Sequence, residues 1–489
     1  MAPKKINLPE KLFLGIIMSF LFCSNVLAQT PCTSGLAGSY PCNDYDLMSV
    51  ISTQNLSGSS IAEGSDVWGW TDPSNGKEYA IAAMTNTTAF IDISDPVNPI
   101  LLGRLNSNAG SNSWRDVKVY NNYAFIVADN VGAHGVQVFD LTRLRNVDFP
   151  PTFFNANTVY TGVDSCHNIV INEDKAVAYL VGCRSSNGGG PIFLDISDPL
   201  NPTSLGDYRG SGYSHDAQVI TYKGPDTEHD GKEIYIGSNE TEIVVLDVTN
   251  KANVVELATL DYPQVGYTHQ GWFTEDQRYF ILGDETDESN FGLNTRTLVF
   301  DLTDLDNPRL SSTYFGPTNA IDHNGYVKGN KYFMASYAAG MRVLDITNIS
   351  ASTNSMTEVG FFDTFPTSNS NVSNGAWSVY PYFPSGNIII NDIDNGLFVV
   401  RKSGTLSIDP VTKTANSFNI TPNPTRVDPR IVSSNTPIET IEVFNILGKK
   451  VFQKKNINSK NFTIPLSSQS SGIYIVKINN TVGKKLIIR

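Results

Sequence analysis

Four of the six histidines recur at one place in four consecutive stretches of similar sequence: His167 in DSCHNIVI, His215 in GYSHDAQV, His269 in GYTHQGWF and His323 in AIDHNGYV. They are spaced 48, 54 and 54 residues apart. Imidazole is a ligand for zinc and other transition ions and a general base near neutral pH. Neither chemistry is available to side chains strung 50 residues apart unless the fold returns each one to a common axis. The elements that carry them therefore decide what they can do.

Those elements form an internal repeat. An apolar run ending in Asp, a polar link and a second apolar run recur, as in AFIDISDPVNPILLGRL, PIFLDISDPLNPTSLGDY, IVVLDVTNKANVVELATL and LVFDLTDLDNPRLSSTY. Ahead of each lies a hairpin with period-two alternation, such as VKVYNNYAFIVAD. Each unit thus holds four short strands. A lone four-stranded sheet cannot bury both faces, so it must stack on neighbours, as the blades of a β-propeller do. The expected architecture is all-β: a seven-bladed β-propeller over residues 29–402, with innermost strands starting at Ser65, Arg115, His167, His215, His269, His323 and Trp377. The seventh unit lacks a fourth strand, and Asp46–Ser52 resembles the missing one, so an N-terminal strand is expected to close the ring. The recurrent Asp92, Asp140, Asp195, Asp247, Asp301 and Asp345 precede Ser or Thr two residues on and read as turn formers rather than as chemical carboxylates.

On a propeller the first residues of the inner strands form an annulus at one mouth of the channel. The next positions, Asp66, Asp116, Asn168, Asp216, Gln270, Asn324 and Ser378, form a second. Three uses compete. Each His caps its blade through hydrogen bonds; or His167, His215, His269 and His323, with Asp116 or Asp216, hold zinc or a similar ion; or a His acts as a base. The catalytic version takes the form of a polysaccharide lyase, with His215 or His269 as base, Tyr267 as acid, and Arg115 or a metal neutralising a uronate. No G-x-S-x-G, H-E-x-x-H, P-loop or dinucleotide fingerprint occurs. The acidic loop GDETDESN offers Asp284, Glu285, Asp287 and Glu288 as oxygen ligands for Ca²⁺. The loop GPDTEHDGKE, with Asp226, Glu228, His229 and Asp230, reads as a solvated hairpin tip. Trp68, Trp70, Trp114, Trp272 and Trp377 are expected mainly between blades rather than as a sugar platform.

The ends of the chain read as addresses. Residues 1–28 have a basic start, the apolar run LFLGIIMSFLF and a small-residue site at Val26-Leu27-Ala28, the pattern of a cleaved signal peptide. No transmembrane segment is expected in the mature chain. Beyond the signal, Cys32, Cys42, Cys166 and Cys183 are even in number in an oxidising compartment. Cys166 and Cys183 flank two apolar runs around a turn at Glu173-Asp174, so they are expected to pair across a hairpin, with Cys32–Cys42 as a local clasp. Residues 443–489 carry +9 and residues 1–28 carry +2, leaving −24 on the rest of a chain whose total is −13. Such a body repels nucleic acid and attracts cations.

After a linker at 403–418, residues 419–489 alternate in short strands split by Asn, Gly and Ser, as in a small β-sandwich. Pro422-Asn423-Pro424, Asn445–Lys449, Gly472-Ile473-Tyr474 and the basic end Lys484–Arg489 resemble the C-terminal sorting domain of the type IX secretion system of Bacteroidetes. That resemblance implies export through the periplasm to the cell surface, with the secretion machinery as partner. The repeats resemble the LVIVD repeat. The body resembles the choice-of-anchor B family through Ala37-Gly38, Tyr40-Pro41-Cys42, His269-Gln270-Gly271-Trp272, Gly283-Asp284-Glu285, Asn294–Thr297, Asp322-His323-Asn324 and Gly375–Pro381. This implies a surface propeller, for which the family carries no established activity. The resulting expectation is a secreted binding protein whose ligand is a surface glycan or protein, with a metal-assisted lyase as the alternative.

Overall fold

The computed structural model describes residues 29–404, 418–433, 437–445, 449–466, 469–479 and 482–489. The expected signal at 1–28 and nearly all of the expected linker lie outside the described residues.

From residue 29 to residue 404 the chain forms seven antiparallel sheets in order. Their innermost strands are Gly64–Thr71, Arg115–Tyr120, Asn168–Asn172, Asp216–Thr221, Thr268–Phe273, Gly325–Lys328 and Ala376–Tyr380. Each packs beside the innermost strand of the next sheet, and the last packs beside the first. The fold is an all-β propeller-type ring. Its core is divided into layers between adjacent sheets. In Val177–Val181, Ala178 and Leu180 pack towards Phe125 and Val127 of the preceding sheet, while Tyr179 and Val181 pack towards Val219 and Tyr235 of the following one. Alternate residues of one strand thus serve two different cores, which is why these strands are apolar at every position.

The recurrent aspartates are turn formers. Asp92, Asp140, Asp195, Asp247, Asp301 and Asp345 each accept the backbone N–H two residues on, at 2.8–3.0 Å. The N-terminal closing strand runs Tyr45–Ile51, one residue earlier than expected, and pairs antiparallel with Gly396–Lys402. Just before it, Tyr40–Asn43 adds to the edge strand Thr357–Phe362 of the sixth sheet. The Cys32–Cys42 disulfide fastens this segment, and Cys166–Cys183 joins the two ends of a hairpin with Cα atoms 4.1 Å apart. One departure from simple repetition is Thr152–Phe154, which pairs in parallel with Ile100–Asn106 of the first sheet before the chain returns to its own.

At the C-terminal end, Phe418–Thr421, Arg430–Ser433 and Asn461–Thr463 form one sheet, and Ile441–Asn445, Lys450–Lys454, Gly472–Ile478 and Val482–Ile488 form another. Phe418, Ile431, Val443, Tyr474, Val476 and Leu486 share one core between them, a small sandwich. Among the described residues no helix is long and apolar enough to cross a membrane.

Candidate metal centre and ligand cavity

The starts of the inner strands bring the four histidines side by side. Successive rings from His167 to His215, His269 and His323 lie 4.2, 4.3 and 4.2 Å apart between centroids. Trp377 continues the arc, 4.8 Å from His323. Two of the rings are held by the next blade. His215 Nδ1 lies 3.1 Å from the carbonyl of His269, and His323 Nδ1 lies 2.6 Å from the carbonyl of Trp377. A carbonyl only accepts, so Nδ1 carries the proton and Nε2 is left with its lone pair. Burial holds His215 and His269 well below the ordinary imidazole range and lowers His323 as well. These rings are neutral at physiological pH. His167 differs in having a carboxylate partner, with Nδ1 3.0 Å from Asp129 Oδ2. Its place depends on Gly182, which has φ +67°, since a Cβ there would lie 2.4 Å from the Cβ of His167.

The loop after the second strand of each blade supplies the other half of the site. Glu285 follows Tyr279–Asp284 and reaches the arc: Oε2 is 3.7 Å from His269 Nε2 and Oε1 is 3.9 Å from His323 Nε2. The Tyr337 hydroxyl, from the corresponding loop of the sixth sheet, donates to Glu285 Oε1 at 2.8 Å. The donor atoms of His269, Glu285 and His323 all lie within 4.8 Å of one another. Donors around a tetrahedral zinc are separated by roughly 3.3 Å. The three are candidates to share an ion, with their donor atoms wider apart than around a bound zinc.

Asp116 and Asp216, expected to assist the imidazoles, are engaged elsewhere. Asp116 accepts from Lys118 and from the backbone N–H of Val117 and Ile169, the last in the next blade. Lys118 also pairs with Asp66 at 3.0 Å and lies 4.7 Å from the ring of Trp68. Asp216 accepts the N–H of Ala217, and burial raises its carboxyl to about 7. This second annulus ties blade to blade, as Gln270 also does by accepting from Gly325 N at 2.9 Å. Arg115 lies under the arc with its guanidinium donating to Ser107 Oγ at 2.8 Å, turned to the wall rather than to a ligand. The neutral, desolvated His215 and His269 are poor bases. Tyr267, whose hydroxyl donates to Glu240 at 3.3 Å, is raised by burial and nearby acids and is a poor acid. The parts assigned to a lyase are present but are not set for that chemistry.

The acidic loop also divides. Asp284 accepts from Tyr262 Oη and from Gly266 N and Tyr267 N, while Asp287 is paired with Arg296. Both are fully buried, and only Glu285 faces the histidines. Asp284, Glu285 and Asp287 do not converge as an oxygen-only cluster, because two of them are consumed in holding the loop that aims the third. Asp226 and His229 do more than cap a solvated tip: His229 is buried and its Nε2 is 2.7 Å from Asp306 of the next sheet.

In front of the arc lies a cavity of about 550 Å³, whose walls include Glu63, Arg184, Tyr213, Tyr267 and Trp377. The aromatic residues Trp68, Trp272, Tyr326, Tyr380 and Tyr382 pack on one another in a separate cluster, as expected of interior residues. The features missed in the sequence are Asp129, Arg184, Glu240 and Tyr337. They share a signal, a polar residue one to three positions beyond the end of each second strand.

Sequence comparison matches the LVIVD repeat at residues 78–107, 112–132 and 230–261, and a domain of unknown function (DUF8694) at residues 406–488. No curated protein matches the chain. Among solved structures, PorZ, an essential surface component of the type IX secretion system of Porphyromonas gingivalis, is 11% identical with a TM-score of 0.44 over 85% of this chain, which spans 58% of PorZ. Kuenenia stuttgartiensis hydrazine synthase is 12% identical with a TM-score of 0.47, covering 67% of this chain and 93% of that one. A functionally unknown protein from Desulfotomaculum acetoxidans is 12% identical with a TM-score of 0.42, covering 60% and 88%. The ring described above is thus built, in part, from LVIVD repeats.

Proposed function

We propose that this chain is a secreted, cell-surface binding protein of the choice-of-anchor B kind: a seven-bladed propeller carried to the surface by a signal peptide and a type IX sorting domain. Its function is to hold a transition ion and a ligand at the histidine-lined mouth of its channel. The observation that carries this is the gathering of donor atoms of His269, Glu285 and His323 within 4.8 Å of one another, with the His323 proton fixed on Nδ1. Second-partner hydrogen bonds of this kind orient imidazole ligands and raise their basicity. Two neutral nitrogens and one carboxylate suit zinc, and an open fourth position would polarise whatever oxygen binds there. Export is supported by two disulfides. The basic sandwich at the C-terminal end supports the sorting role.

Calorimetric titration of the metal-stripped protein with Zn²⁺ tests the reading. One site per chain is expected, weakened about 10- to 100-fold by Glu285→Gln. It is lost in the His269→Ala/His323→Ala double variant, with little change in the far-UV spectrum. Stoichiometric binding unaffected by these substitutions, or no binding at all, sinks it.

A further inference from the structure

We infer that the cavity in front of the histidine arc continues over the rim of the second and third blades and takes a neutral oligosaccharide, stacked on Trp114. This deepens the reading of the channel mouth as a ligand site. A second cavity of about 420 Å³ adjoins the first, and the two share Trp114, Asp129 and Arg184. Together they make one trough roomy enough for several sugar units. Trp114 stands where the two meet. Its neighbours in sequence place it just before the inner strand Arg115–Tyr120, yet it is 45% exposed, while Trp70 is 3% exposed. An indole left in water at the centre of a trough is a platform for an apolar ligand face, and the C–H face of a pyranose is such a surface.

The polar groups around it are mostly acceptors and small amphoteric groups. Asp164 offers carboxylate oxygen to hydroxyl donors beside Asp129, whose oxygens already meet His167 Nδ1 and Asn130 N, and Asn130, Ser113 and Ser185 complete the wall. Charge decides the sugar class. With Glu285 given to the proposed ion, the carboxylates left facing the trough are Glu63, Asp129 and Asp164, and the lining guanidinium, Arg184, is already paired with Glu240 at 3.2 Å and lies 3.7 Å over the ring of Tyr213. A uronic or sulfated polymer would meet a net negative wall on a body that is itself strongly acidic. A neutral glycan pays no such penalty.

The test is tryptophan fluorescence of the full chain titrated with cellohexaose, maltohexaose, laminarihexaose and hexa-N-acetylchitohexaose, with a galacturonate hexamer as the acidic arm, in zinc-free and zinc-loaded protein. At least one neutral hexamer is expected to bind and to shift the emission, with the galacturonate hexamer weaker. Trp114→Ala should weaken binding by about tenfold or more, and Trp114→Phe should restore most of it. Both variants should melt as the wild type does, because the ring is half in solvent. Binding of no neutral hexamer at millimolar concentration, preference for the galacturonate hexamer, or undiminished binding by Trp114→Ala overturns the inference. A zinc site without sugar binding overturns the glycan assignment and leaves the metal reading standing, whereas sugar binding without zinc does the reverse.

Discussion

At the scale of single residues, the environment of each ionisable group assigns its role. Four histidines of identical origin are not equivalent. Two donate Nδ1–H to main-chain carbonyls and are kept neutral by burial, and one is partnered by Asp129. Because His269 and His323 are lowered below their usual range, protons do not compete for them near pH 7, and zinc affinity should stay flat down to about pH 6.5, the ordinary imidazole value. Asp216 gives a sharper test. Burial raises its carboxyl from 3.8 to about 7, with Asp66 adding to the shift and Lys118 and His167 opposing it. The native state therefore binds the proton more tightly than the unfolded chain. Its contribution to stability is fully present below pH 3.8 and is lost as pH rises through about 7. Asp216→Asn keeps the oxygen that accepts from Ala217 and removes the ionisation. Its melting temperature relative to wild type should rise steadily between about pH 4 and pH 8, and a pH-independent difference would contradict the assignment.

At the scale of elements, the hairpin and the loop behind it do different work. The third strand of a blade and its Asp-turn were legible in the sequence, because a carboxylate two residues before the amide it accepts is a local device. The Cys166–Cys183 pairing was legible for the same reason, since equal runs on both sides of a turn put the two ends opposite one another. That bond closes 17 residues of chain, and replacing both cysteines by serine should cost about 3 kcal/mol in chemical denaturation while leaving the arc assembled. The loops after the second strands share a position but no common sequence, so position alone marks them. Asp129 and Glu285 stand in different local sequences, and they reach His167 and His323 because each loop leans over the next blade. Thr268 N donating to Glu240 O at 2.6 Å and Ala376 N to Tyr337 O at 2.9 Å record that lean. Asp284 and Asp287 were indistinguishable from Glu285 by type, and the position of Arg296, with the amides of Gly266 and Tyr267 on Asp284, separates structural carboxylates from the one that faces the site.

For the whole molecule, the ring is held by its cores between sheets and by one late closure. The seventh sheet is completed from the N-terminal side by Tyr45–Ile51, about 350 residues away in sequence from the strand it joins. Without it, Gly396–Lys402 would present an unpaired edge, and Met48 would leave the core between the seventh and first sheets. Removal of residues 29–52 should abolish the single cooperative melt and produce aggregates on size-exclusion chromatography. A monomer that still melts in one sharp transition would show that the closure is dispensable. The same ring geometry makes the site asymmetric. Four blades contribute imidazoles, the fifth also contributes Glu285, and the rim of the second and third contributes the trough around Trp114.

The sequence by itself determined the repeat, the all-β ring built on it, both disulfides and the register of the four histidines, since each of these is written in short-range periodicity or spacing. Only the tertiary structure decided which carboxylates face those histidines. Asp116, Asp216, Asp284 and Asp287 were candidates by type and proximity in sequence, but each meets a cation, a buried wall or a backbone amide first. Glu285 and Asp129 reach the imidazoles because neighbouring blades are rotated relative to one another, and that rotation is a property of the closed ring, not of any one repeat.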